Sequence, residues 1–115
     1  MRFKLILSSV KAAITDTVVD AAKNEGATGA TIIPARGTGI HEAKTFFGLS
    51  LESQTDIIMF LVEEHLSDKI LNAVKEAGDF QKPGTGIAFV LPVEQVVGLE
   101  SQMKLFKEEV RENYF

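Results

Sequence analysis

Hydrophobic positions in this chain follow two rhythms, short unbroken runs and stretches where an apolar residue returns every three or four places, and the two alternate. Residues 3–8 are apolar and β-leaning and read as a strand, with Ser9 placed to cap a following helix. Val10, Ile14, Val18, Ala21 and Ala22 then share one helical face, Lys11, Asp16, Asp20 and Lys23 lie off it, and Gly26 ends the helix. Residues 27–34 make a second strand in which Gly29 permits a bend or a close backbone approach. Residues 37–54 have no clean period and read as a long loop. The run at 56–62 is the clearest strand of all, and Ser67 after it is placed to cap a second helix with Ile70, Leu71, Val74 and Ala77 on one face and Gly78 at its end. A fourth strand covers 87–91, a short edge strand is expected at 96–99, and a terminal helix from Ser101 onward carries Met103, Phe106, Val110 and Tyr114 on one side.

The order β-α-β-β-α-β is the ferredoxin-like arrangement, an α+β fold in which two helices cover one face of an antiparallel sheet. Such a sheet commonly leaves its other face to water, and its strands then alternate apolar with polar. The third and fourth strands do not alternate, so the second face also needs cover. With two helices and a tail to hand, the simplest cover is another copy of the chain, which predicts a homo-oligomer. A terminal helix folded over the sheet is the competing possibility.

Composition narrows the class without changing this picture. The 115 residues suit one domain, and 45% hydrophobic with 24% charged is ordinary for a globular protein. A net charge of −4 with scattered basic residues argues against a nucleic-acid partner, which demands clustered Lys and Arg. The absence of cysteine excludes disulfides and thiolate chemistry and fits a cytoplasmic protein. The apolar start before Ser8 and Ser9 is too short for a signal sequence or a membrane span.

Candidate chemistry sits in two glycine loops at strand ends, Arg36-Gly37-Thr38-Gly39 and Lys82-Pro83-Gly84-Thr85-Gly86. Glycine lets backbone N–H groups crowd against a ligand oxygen, because no Cβ holds the ligand off. The pair points to one ligand site, although either loop alone is more often a plain turn. His41 beside Glu42 and His65 beside Glu63 and Glu64 have no metal-ligand spacing on one element, and no Ser-His-Asp arrangement emerges.

Two stretches carry a resemblance to a known family. The run from Gly26 through Ala35 to Gly39 resembles the second strand and loop base of the PII signal-transduction proteins, and the run from Pro83 to Val93 is similar to their glycine loop and following strand. The likeness spans residues 1 to about 99, and the joint presence of both motifs is specific for the superfamily. It implies a ferredoxin-like fold, a homotrimer with sheets facing inward, adenine nucleotides in clefts between subunits, and a T-loop, here residues 40–54, that docks on a membrane transporter or metabolic enzyme. On that likeness Thr31, Arg36, Gly37, Thr38, Gly39, His41, Lys82, Gly84, Thr85 and Gly86 are the candidate ligand-binding residues, with Phe46 and Phe47 as a docking patch. No catalytic residue and no tightly bound cofactor is expected, AMP, ADP or ATP being the implied effectors.

Departures from the family shape the expectation. Ile87 stands where members carry a phosphate-holding lysine, and Gly98 and Glu100 where they carry two arginines, which argues against ATP held in the family manner. The loop contains no tyrosine, Tyr114 being the chain's one, so uridylylation at the usual site is excluded. His41 aligns with a glutamine that helps bind magnesium and 2-oxoglutarate, and Gln54 with the lysine that grips the keto acid, so 2-oxoglutarate sensing is not expected. The leading expectation is a PII-like regulator of nitrogen-regulation type that answers a small effector. The alternatives are a trimeric divalent-metal-binding protein of the related cation-tolerance type and a small enzyme using the same cleft.

Overall fold

The computed structural model describes residues 2–36, 45–46, 49–50 and 54–99. Among these residues six strands and two helices follow in order: β1 (Phe3–Lys11), α1 (Thr15–Asn24), β2 (Thr31–Ala35), β3 (Thr45–Phe46), β4 (Leu49–Ser50), β5 (Thr55–Glu63), α2 (Ser67–Ala77) and β6 (Gly86–Pro92). Four of the strands form one antiparallel sheet in the order β2-β5-β1-β6, and β3 pairs with β4 in a separate two-residue hairpin. This is the expected ferredoxin-like arrangement.

The register divides the sheet residues cleanly between two faces. Ile6, Ser8 and Val10 of β1 pair with Phe60, Ile58 and Asp56 of β5. On that side Ile6, Val10, Ile58, Phe60 and Val62 are buried under Val18, Val19 and Ala22 of α1 and Ile70 and Val74 of α2. Each such side chain contributes about 1.5–3 kcal/mol on leaving water. Ser8 is buried among them, and its Oγ has no hydrogen-bond partner in the described structure.

The opposite face carries Leu5, Leu7, Ile57, Met59, Leu61, Ile33, Ile87, Phe89 and Leu91 by the same register. Burial therefore alternates along β1 and β5 although apolar chemistry runs through β5 without a break, because both faces are apolar and one is covered. On the uncovered side Ile33, Ile87, Phe89 and Leu91 are 43%, 60%, 42% and 42% exposed. At one edge of the sheet, β2 contains Pro34, which has no amide hydrogen to give to a ladder.

Several local expectations need correction. Ser9 is not a helix cap: β1 continues to Lys11, where Ser9 lies opposite Ile57 and Ile87, and a single 3-10 turn at Ala12–Ile14 separates it from α1. Val10 accordingly belongs to the strand and fills the core from there. The start of α1 is tied instead by Thr15, whose Oγ1 donates to Asp56 Oδ2 at 2.6 Å, and by Ala12 N–H to the Gln54 carbonyl at 2.9 Å. Ser67 opens α2 but caps no N–H; its Oγ donates to the Glu64 carbonyl of the preceding 3-10 turn at 2.8 Å. The second strand starts at Thr31 rather than 27, a Cβ at Gly29 would meet nothing within 4 Å, and residues 93–98 form no strand. The loop expected at 37–54 contains the β3–β4 hairpin, while the terminal helix from Ser101 lies outside the described residues.

Candidate functional site

The end of α2 sets up the glycine loop. Phe80 N–H reaches the Lys75 carbonyl at 3.1 Å and Asp79 N–H reaches the Glu76 carbonyl at 3.2 Å, the double closure of a Schellman end. That closure needs a left-handed residue, and Asp79 supplies it at φ 54°, a conformation that aspartate tolerates better than most side chains. The ring of Phe80 then folds back between two glycines. A Cβ on Gly78 would stand 2.2 Å from Phe80 Cε1, and one on Gly86 would stand 2.5 Å from the same atom and 2.8 Å from the Ser9 carbonyl. Gly86 thus has a packing reason to be glycine, while Gly84, at φ 81°, has a conformational one.

Within the loop three donors turn inward. Lys82 N–H bonds to the Asp79 carbonyl at 3.0 Å and Thr85 N–H to the Lys82 carbonyl at 3.4 Å. Thr85 Oγ1 donates toward the Asp79 and Lys82 carbonyls, 2.8 and 2.9 Å away, and Pro83 has no N–H. Lys82 Nζ lies 3.1 Å from Asp79 Oδ2, both side chains well exposed. A loop whose sequence promises a phosphate cradle therefore closes on itself, with Asp79 as its hub. Beside it, a groove of about 340 Å³ runs between Leu71 and Lys75 of α2, Phe80 and Gln81 of the turn, and Gly86, Ile87 and Ala88 of β6.

The other candidate residues lie across the sheet. Thr31 and Arg36 are exposed, on and just beyond β2, the edge opposite β6. Because β2 runs antiparallel to β5 and β6 antiparallel to β1, the end of β2 and the start of β6 share one end of the sheet. Three strand spacings of about 4.8 Å separate those two edges, so a single chain keeps the end of β2 and the start of β6 about 14 Å apart. Gly37, Thr38, Gly39, His41 and Phe47 lie outside the described residues, and Phe46 is paired with Leu49 in the hairpin. His65 sits at the far end of β5, its Nε2 3.4 Å from Glu63 Oε2. Among the described residues no three His, Asp or Glu side chains gather to hold a metal.

Sequence reasoning missed Asp79, Phe80 and the groove. Its signal for the helix end was Gly78, whereas the left-handed position falls one residue later on an aspartate. A phenylalanine flanked by Gly78 and Gly86 was the available hint of a ring packed on two α-carbons.

Comparison with known proteins gives matches of two kinds. The profile of the family described as nitrogen regulatory protein P-II matches residues 3–102. The crystal structure of a PII-like signaling protein from Thermus thermophilus is similar over 87% of this chain and 95% of its own, with 28% sequence identity and a TM-score of 0.65. No curated protein matches the sequence.

Proposed function

The chain belongs to the nitrogen regulatory protein P-II family, and from that premise we propose that it works as a non-enzymatic, cytoplasmic PII-like regulator. In this reading three copies pack their uncovered sheet faces together, and a small effector binds in the cleft where the Lys82–Gly86 loop of one subunit meets the Thr31–Arg36 edge of the next. Effector binding then biases the T-loop equivalent at 40–54, and with it the affinity for a transporter or metabolic enzyme, by no more than the effector's own preference between the two loop states.

The observation that carries the reading is the bare apolar face. Nine apolar side chains share one side of a four-stranded sheet and four of them are more than two-fifths exposed, the kind of contiguous apolar surface that marks an interaction site. The strand layout supports it too, since the end of β2 and the start of β6 lie at one end of the sheet but on opposite edges, and cyclic assembly is a direct way to join such edges. Ile87, Gly98 and Glu100 in place of family cations favour an effector with few phosphates, or a small anion, over ATP.

Sedimentation velocity at micromolar concentration tests the assembly: a trimer is expected, and a monomer would sink the proposal. A thermal-shift screen over AMP, ADP, ATP, cyclic nucleotides, 2-oxoglutarate, bicarbonate and divalent metals tests the effector. Stabilisation by a nucleotide that disappears in Lys82→Ala supports the regulator. Stabilisation by a metal that disappears in His41→Ala supports the cation-tolerance alternative instead.

A further inference from the structure

We propose that Asp79 is the residue that sets how much negative charge the glycine loop accepts, and that it selects ligands bearing one phosphate over those bearing three. This rests on the loop being the effector site. The argument starts from the helix end. The Schellman closure of α2 requires a left-handed residue at position 79, and glycine or asparagine fills that place most readily without adding charge. The chain has an aspartate there, and its carboxylate pairs with Lys82 Nζ at 3.1 Å. The cation a phosphate would seek is already neutralised from within the same turn.

Part of the loop's donor set is already committed. Lys82 N–H, Thr85 N–H and the Thr85 hydroxyl are directed to carbonyls of the loop, and Pro83 offers no hydrogen. An arriving anion must therefore share Lys82 with a fixed carboxylate and feels that carboxylate's repulsion. Another cation, Lys75, lines the adjoining groove from α2. Asp79 and Lys82 are more than half exposed, so their pairing matters little to stability, yet the fixed charge still acts on whatever binds beside it. Across about 6 Å of water, one unit charge changes the affinity of a singly charged ligand group about threefold, so two further ligand charges change it roughly tenfold. The penalty grows with each phosphate, which makes the loop a filter for low charge rather than a uniformly weak site.

Magnesium-free isothermal titration of AMP, ADP and ATP into the wild-type protein, Asp79→Asn and Lys82→Gln tests this. Asparagine is nearly isosteric with aspartate and tolerates the left-handed conformation well, so the helix end is expected to survive, with the thermal melt as the check. The wild type is expected to bind AMP at least as tightly as ATP. In Asp79→Asn the affinity for ATP relative to AMP should rise roughly tenfold, with ADP between, and added salt should shrink the gain. Lys82→Gln should weaken all three. If the wild type binds AMP and Asp79→Asn leaves the ATP-to-AMP ratio unchanged within about twofold, the charge-filter idea is overturned while the effector site stands. If no nucleotide binds to any of the three proteins, the nucleotide reading of the effector site falls and takes the filter with it. A gain in Asp79→Asn that is equal for all three nucleotides would show a merely structural role and also overturn it.

Discussion

The two faces of the sheet are made from nearly the same side chains and have opposite fates. On one, Ile6, Ile58 and Phe60 are wholly buried beneath the two helices; on the other, Ile33, Phe89 and Leu91 keep about two-fifths of their surface exposed. Hydrophobicity alone therefore does not tell which face the chain covers for itself. The helices choose, because α1 and α2 follow β1 and β5 by tight 3-10 turns that place both on the same side. What remains on the other side is a surface that neither described helix covers.

Substitutions on and between the faces separate them. The largest effect is expected from Phe60→Ala on the covered side, which should cost about 3–5 kcal/mol in denaturant unfolding, because a wholly buried ring leaves a cavity. Phe89→Asp on the open side should act differently: sedimentation should shift from trimer to monomer, while far-ultraviolet circular dichroism stays that of the wild type. A Phe89→Asp protein that remains trimeric would show that the open face is not the seam. Gly86→Ala, at the rim where β6 begins, should cost about 1–3 kcal/mol, since its Cβ would press on the Phe80 ring and on the Ser9 carbonyl, whereas Gly29→Ala, with open space around it, should stay within about 0.5 kcal/mol. The smallest effect is expected from Ser8→Ala. Its hydroxyl is buried without a partner, so removing it should leave stability unchanged or raise it by up to about 1 kcal/mol.

The legible and illegible parts of this protein differ in the range of the interactions behind them. The six-element order, the unbroken apolar run of β5 and the Ile70–Val74 face of α2 are local patterns, and each is found where its period puts it. Ser9 misled because a serine after an apolar run looks the same whether a helix starts there or the strand goes on. What decided the matter was pairing across β1 to Ile57 and Ile87, residues distant in sequence. The candidate site was readable as a pair of glycine loops but not as a shape. Gly86 is explained by a ring six residues earlier and a carbonyl on another strand, and the inward turn of Thr85 by Asp79, a residue with no signature of its own. The edges that separate Thr31 from Lys82 follow from strand order, which no single stretch of sequence records.

Pro34 has a bearing beyond its own strand. A protein with a sticky sheet surface and open margins is a candidate for runaway stacking into fibres, since each added strand creates a fresh template for the next. The missing hydrogen at Pro34 leaves any such growth one rung short along β2, a standing safeguard against it.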